Sequence, residues 1–186
     1  MQNMSMNHAF LIGKKVYLRG LEESDLKYIK KWLSDSDFTK FLFQGDFPHS
    51  LDKLTENFAK DKKQGNPVFA IIYKKNNKII GWAGLYEIDW ISRTAEIRFF
   101  IGEKKYWGKG LATESVSLII DYGFHKLNLH RIYGGTNEEN YGSAKIFQKL
   151  GFSNEGRSKD DHFRNGRYYD ILRFGLINKK NTHKKK

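Results

Sequence analysis

Between residues 94 and 124 the hydrophobic period changes across a loop that carries three glycines. Ahead of the loop, Glu96, Arg98 and Phe100 alternate with Ile97, Phe99 and Ile101, the period of a strand. Behind it, from Gly108 to Phe124, Leu111, Ser115, Leu118, Ile119 and Tyr122 recur at helical spacing. The connecting segment reads Ile101-Gly102-Glu103-Lys104-Lys105-Tyr106-Trp107-Gly108-Lys109-Gly110-Leu111-Ala112-Thr113. A strand that turns through glycines into a helix aims several free backbone N–H groups at one point, at the positive end of the helix dipole. Such an arrangement holds phosphate.

Two common phosphate loops are excluded by spacing. A Walker loop puts four residues between its first glycine and Gly-Lys, followed by Ser or Thr; here five residues separate Gly102 from Gly108, and Gly110 follows Lys109. In the dinucleotide fingerprint the alanine of Gly108-Lys109-Gly110-Leu111-Ala112 would stand one position later. No flanking βαβ unit or acidic ribose ligand accompanies it.

The rest of the chain frames this loop. Residues 15–21 alternate as a strand, Ser24 or Asp25 opens a helix to Leu33 with Leu26, Ile29 and Leu33 on one face, and Ser50 opens a second helix to Lys63. Residues 38–49 between them are aromatic and irregular. Strands follow at 68–73 and 79–86 around the turn Asn76-Asn77, then the strand at 94–101. After the 108–124 helix come a short strand at 131–134, a helix at 140–150 stopped by Gly151, and strands at 152–157 and 168–177 joined through Asn165-Gly166. The order β-α-α-β-β-β-α-β-α-β-β predicts a mixed α/β (α+β) architecture with helices on both faces of a mixed sheet, not a doubly wound parallel one.

With 186 residues and two prolines, one domain is expected over 14–178, with an N-terminal extension at 1–13 and a basic tail at 179–186. Cysteine is absent, which removes disulfides, thiolate zinc sites and a cysteine nucleophile, and agrees with a cytoplasmic location. No apolar run approaches the ~18–20 residues of a spanning helix, and residues 1–10 lack the pattern of a secretion signal. The net charge of +12 points to an anionic partner, although five of the lysines belong to the tail, whose plain reading is a solvated charge run. His8, His49, His125, His130, His162 and His183 give no pair at metal-ligand spacing, so no metal is expected.

The segment Lys105-Tyr106-Trp107-Gly108-Lys109-Gly110 resembles the acyl-coenzyme A signature [Q/R]-x-x-G-x-[G/A] of the GNAT superfamily of N-acyltransferases. The resemblance extends over roughly 14–177. It includes Asn140-Tyr141-Gly142-Ser143, Leu150-Gly151-Phe152 and Asn165-Gly166-Arg167-Tyr168-Tyr169-Asp170, and within the superfamily it is nearest the ribosomal-protein N-terminal and polyamine acetyltransferases. Lys105 departs from the signature: it keeps the charge of arginine without the planar fork, and meets a phosphate as a point charge.

The resemblance implies a central, mostly antiparallel sheet splayed at a cofactor cleft, placed where the strand ending at Ile101 parts from the next strand near Arg131. It implies acetyl-coenzyme A as co-substrate, with main-chain groups of Phe100 and Ile101 on the pantetheine arm. Lys105, Tyr106, Trp107, Gly108, Lys109, Gly110, Leu111 and Ala112 would be around the pyrophosphate, and Asn140 and Ser143 on the pantetheine side. Asn140 reads equally well as a plain helix cap. The implied reaction is direct attack of a primary amine on the thioester in a ternary complex.

Glu96 is the first candidate for removing the ammonium proton, its plain alternative being a surface carboxylate paired with Arg98; Asp161 and Asp170 come after it. Many relatives carry a tyrosine as proton donor where this chain has Phe147. Ser143 then offers the best-placed hydroxyl, with Tyr141 next. Phe41, Phe43, Trp82 and Tyr86 are candidates for the acceptor pocket, or simply core. The expected acceptor is a peptide N-terminus or another small primary amine, the alternatives being a nucleotide-linked amino sugar or a polyamine, for which Asp46, Asp52, Glu87 and Asp89 supply few carboxylates. The expected enzyme is a monomer or homodimer without a membrane partner. A non-enzymatic nucleic-acid-binding domain, supported only by charge and aromatic content, is the reading from another class.

Overall fold

The computed structural model describes residues 8–42 and 47–179. Eight strands form one sheet in the order β1-β2-β3-β4-β5-β6-β8-β7: β1 Leu11–Ile12, β2 Val16–Gly20, β3 Val68–Tyr73, β4 Lys78–Asp89, β5 Thr94–Ile101, β6 Arg131–Asn137, β7 Ser153–Arg164 and β8 Arg167–Ile177. Neighbours run antiparallel except β5 and β6. The helices are α1 Leu26–Leu33, α2 Ser36–Thr39, α3 Leu51–Gln64, α4 Leu111–His125 and α5 Tyr141–Lys149. The sheet takes in Leu11 and Ile12, paired with Leu18 and Tyr17, ahead of the expected domain start at 14.

The two faces of the sheet bury separate cores, because alternate side chains of each strand leave in opposite directions. Val16, Leu18, Ile80, Ala83, Leu85, Ala95 and Ile97 pack with Leu111, Val116 and Ile119 of α4 and Phe147 of α5. Tyr17, Ala70 and Ile72 pack on the other face with Leu26, Ile29 and Trp32 of α1, Phe38 of α2 and Leu54 of α3.

Local signals placed most elements within a few residues. Ser50 accepts a hydrogen bond from the Lys53 N–H at 3.1 Å and caps α3, and Gly65 ends that helix in the left-handed conformation. Asp25, one of the two expected caps, stands at the N-cap position of α1 but its side chain makes no cap hydrogen bond there. It is buried and held in a two-pronged pair by Arg19 at 2.7 and 2.8 Å, so a 3₁₀ turn at Glu23–Asp25 precedes α1. Trp32 joins Leu26 and Ile29 on the fully buried side of α1, where Leu33 was expected; Leu33 is only partly covered. β4, β6 and β7 run several residues past their expected ends.

Candidate active site

β5 and β6 are paired only from Thr94 to Glu96 and from Arg131 to Tyr133. Beyond that point β5 stays with β4 as far as Ile101, while β6 stays with β8 as far as Asn137. The two strands therefore part and open a cleft. The opening lies toward Asn137, at the opposite end of β6 from Arg131, where it was expected; Arg131 is engaged instead with Glu155.

The Gly102 N–H donates to the Ile80 carbonyl at 2.8 Å. Main-chain groups of successive strand residues point to opposite edges, so those of Phe100 face β4 and those of Phe99 and Ile101 face the opening. This corrects the expected pair, Phe100 and Ile101. The Ile101 carbonyl already accepts the indole N–H of Trp107 at 2.7 Å.

After Ile101 the chain makes a 3₁₀ turn at Lys104–Tyr106 and enters α4 only at Leu111, three residues past the expected start. Gly108 and Gly110 have φ of 70° and 76°, and a Cβ at either would meet nothing within 4 Å. Glycine is required there by conformation, not by crowding. The loop is tied to α1 and α2. Glu103 accepts from Trp32 Nε1 and Lys31 Nζ, both at 3.1 Å, and Lys104 pairs with Asp35 at 2.9 Å. The hydrogen bond from Trp32 and the adjacent lysine hold the Glu103 carboxyl below its ordinary range. At Gly102 the Trp32 indole lies so close that a Cβ would fall 2.0 Å from it.

Of the loop residues, Tyr106 is buried, with its hydroxyl bonded to Asn76 at 2.8 Å and its ring 5.2 Å from that of Tyr73. Its side chain is core and its N–H donates to the Glu103 carbonyl at 2.9 Å, while the Trp107 N–H donates to the Lys104 carbonyl at 3.0 Å, so the amides left to a ligand begin at Gly108. Lys105 and Lys109 are exposed at the loop surface, with their ammonium groups near the Tyr106 ring. Leu111 is buried, and Ala112 is partly covered in the first turn of α4. The free amides, the left-handed glycines and the helix N-terminus fit a pyrophosphate.

A cavity of about 320 Å³ occupies the cleft, bounded by Phe41, Trp82, Glu96, Arg98, Asn140, Ser143 and Phe147 among others. A second, of about 610 Å³, lies between α1, α3 and the β4–β5 face, and Trp82, Tyr86, Glu87, Arg98, Phe100 and Asp61 contribute to its wall. Trp82, Arg98 and Phe100 border both.

Glu96 sits on the cleft wall and is also paired with Arg98, whose Nε donates to its Oε2 at 2.7 Å. The expected pairing with Arg98 is thus present, on a carboxylate that also lines the cleft. Asn140 Oδ1 accepts from the Ser143 N–H at 3.1 Å, capping α5, and both residues line the cleft. Phe147, almost fully buried, packs on Phe99, Phe152 and Phe174 while closing the cleft floor. Tyr141 is 70% exposed, and Asp161 and Asp170 pair with Arg173 and Arg157; these three border neither cavity. Phe43 and Asp46 lie outside the described residues.

Glu87 takes a larger part than its sequence context suggested. Alternation from Tyr86 would send it to the opposite face, but a register irregularity between Tyr86 and Asp89 and a φ of 51° bring its carboxylate to Arg98 Nη2 at 2.8 Å. No local pattern announces that bulge. Burial works against the charge of Arg98; Glu96 and Glu87 more than offset it and raise its pKa. Burial raises the Tyr86 hydroxyl strongly, and that of Tyr133, 3.5 Å from Glu87, less so. Among the described residues no cluster of His, Asp or Glu can hold a metal ion, and no helix is long and apolar enough to cross a membrane.

A sheet parted beside a glycine-turned helix N-terminus, with a second cavity across the same strand, is the arrangement that the resemblance to acyl-coenzyme A-dependent acyltransferases implies. Residues 15–153 match the family model described as an acetyltransferase (GNAT) domain, and the chain belongs to that family. It is an acetyl-coenzyme A-dependent N-acetyltransferase. The chain is similar to the spermidine N(1)-acetyltransferase of Escherichia coli K12, with 32% identity over 87% of this chain and 86% of that one. It is also similar to YdaF of Bacillus subtilis, whose name marks it as a candidate ribosomal N-acetyltransferase, at 26% identity over 89% and 93%. A solved spermidine N-acetyltransferase from Vibrio cholerae, in complex with CoA and spermine, superposes with a TM-score of 0.80 at 30% identity, covering 89% of this chain and 96% of that one.

Proposed function

We propose that the enzyme acetylates a small aliphatic primary amine that enters through the 610 Å³ cavity, and that polyamines are the first acceptor class to consider. The observation that carries this reading is the common wall of the two cavities, Trp82, Arg98 and Phe100, which lets an amine on one side meet a thioester on the other beside Glu96. Aromatic walls from Trp82, Tyr86 and Phe100, with the carboxylates of Asp61 and Glu87, suit an alkylammonium chain. Relatives named for spermidine lie in the same direction and move the peptide N-terminus to second place.

Acetyl-coenzyme A supplies the thioester. The amides of residues 108–112 and the charges of Lys105 and Lys109 hold its pyrophosphate; the backbone edge of Phe99 and Ile101 and the start of α5 at Asn140 flank its pantetheine. The acceptor arrives as an ammonium ion and gives one proton to Glu96, whose Oε1 is not used by the Arg98 pair. The amine nitrogen then bonds to the acetyl carbon as the carbon–sulfur bond breaks, the sulfur leaves with the bonding pair, and the nitrogen sheds its second proton to become a neutral amide, that proton making good the one the sulfur takes up. Ser143 is the hydroxyl on the cleft wall able to give that sulfur a proton; with a thiol pKa of ~8.5 no strong acid is demanded. Trp82 and Tyr86 shape the acceptor side, whereas Phe41 borders the cleft. One chain lines both cavities, and a chain without cysteine is at home in a reducing, cytoplasmic setting.

Thiol release from acetyl-coenzyme A tests the reading against spermidine, peptides beginning with Ala, Ser or Met, and nucleotide-linked amino sugars. Saturable release with spermidine and none with peptides is the expected result. Release with peptides alone transfers the assignment to N-terminal acetylation.

A further inference from the structure

Arg98 borders both cavities and stands in the wall that they share. Glu87 borders only the larger cavity and Glu96 only the cleft, and the guanidinium reaches both, at 2.8 Å and 2.7 Å respectively. It also lies over the Tyr86 ring, 4.8 Å from its centroid. The side chain therefore spans from a carboxylate on the acceptor side to one on the thioester side, clamped from beneath by an aromatic face. The protein accepts a left-handed φ at Glu87, which is uncommon for a residue with a Cβ, to complete the bridge.

We infer that Arg98 is a specificity-determining residue, a built-in cation that fixes how much positive charge an acceptor can bring to that wall. Two carboxylates and one guanidinium leave a formal charge of minus one at the shared wall, enough to match the single ammonium that must reach the thioester. A second ammonium a few bonds behind the first meets Arg98 where it would otherwise have found Glu87 or Glu96. The favoured acceptor end is thus a primary amine whose next positive charge lies farther from Arg98, toward Asp61 in the larger cavity, which in spermidine is the four-carbon end. This rests on the acceptor reading above and narrows it.

Two chains of equal length separate charge from shape: octylamine, and N-butyl-1,3-diaminopropane, which adds a secondary ammonium three carbons from the reacting amine. Their kcat/KM values are compared in the wild type and in Arg98→Met, Arg98→Lys and Glu87→Gln, with acetyl-coenzyme A binding measured calorimetrically in each. Arg98→Met is expected to move the diamine-to-monoamine ratio about tenfold toward the diamine, the size of one unit charge at a few ångströms in a partly screened site. Glu87→Gln is expected to move it the other way, and Arg98→Lys, which keeps the charge, to stay within about threefold of wild type. Acetyl-coenzyme A is expected to bind saturably in every variant, which a misfolded one would not satisfy, and the ratio of the two amines is read at saturating cofactor. A ratio that stays put in both Arg98→Met and Glu87→Gln overturns the inference while leaving the acceptor reading intact. A wild type that acetylates spermidine, octylamine and the diamine not at all removes the acceptor reading, and this inference with it.

Discussion

The indole N–H of Trp107 donates to the carbonyl oxygen of Ile101 at 2.7 Å, folding the phosphate-side loop back onto the end of β5. That carbonyl faces the opening between β5 and β6, so the contact fixes the loop and satisfies a main-chain acceptor at the cleft edge. Trp107→Phe keeps an aromatic ring near Phe38 and removes the donor. A stability loss of about 1 kcal/mol is expected in urea unfolding, the net value of one such bond. An unchanged midpoint would mean that the bond is not formed in solution.

Gly110 lets backbone and charge effects be separated. Its φ of 76° with open space around it means that Gly110→Ala costs conformation alone, roughly 1–2 kcal/mol. Gly110→Asp has the same strain and adds a carboxylate at the helix N-terminus, where the pyrophosphate is proposed to lie. Acetyl-coenzyme A affinity is expected to fall far more in the aspartate variant, read by calorimetry; equal losses would move the phosphate elsewhere.

Glu96→Gln removes the proposed proton acceptor and keeps a side chain that can still meet Arg98. Turnover is expected to drop about 100-fold or more near neutral pH, in the range of general-base catalysis. The deficit should shrink as pH rises, since more of the amine then arrives already deprotonated. A wild-type pH profile would exclude Glu96 from proton transfer.

Ser143 and Phe147 bear on the leaving sulfur. The α5 cap uses the Ser143 N–H and not its hydroxyl, so Ser143→Ala is expected to fold normally and lose turnover by less than about tenfold, the donor being a helpful group for a thiol of pKa ~8.5. Phe147→Tyr places a phenol at the cleft floor and is expected to restore turnover in the Ser143→Ala background. No gain there would show that protonating sulfur does not limit the reaction.

Acid should loosen the loop. The Glu103 carboxyl, held down by the Trp32 hydrogen bond and Lys31, has a folded pKa below its ordinary value of 4.5. Its contribution to stability is therefore complete above that value and is lost as pH falls through the folded one. Glu103→Gln should flatten the pH dependence of stability on the acid side of 4.5, measured by thermal unfolding; a slope equal to wild type would assign acid sensitivity to other groups.

Local physics made much of this protein readable in one dimension. The β5 alternation, the Ser50 and Asn140 caps and the glycines at 108 and 110 depend on residues only a few positions apart, and hydrogen-bond geometry and φ preferences act at that range. The strand-to-helix loop therefore announced itself as a phosphate cradle, and its resemblance to the GNAT signature implied the cofactor. What the spacing could not carry were relationships across the sheet: Trp32 laid over Gly102, Trp107 returned to Ile101, and the edge of β5 that faces the cleft, set by pairing with β4. Glu87 is the clearest case, since alternation assigns it to the wrong face. Only the bulge after Tyr86, with Arg98 waiting across the strand pair, brings it into the site. Such contacts join elements distant in sequence, and their energies exist only once the sheet has assembled.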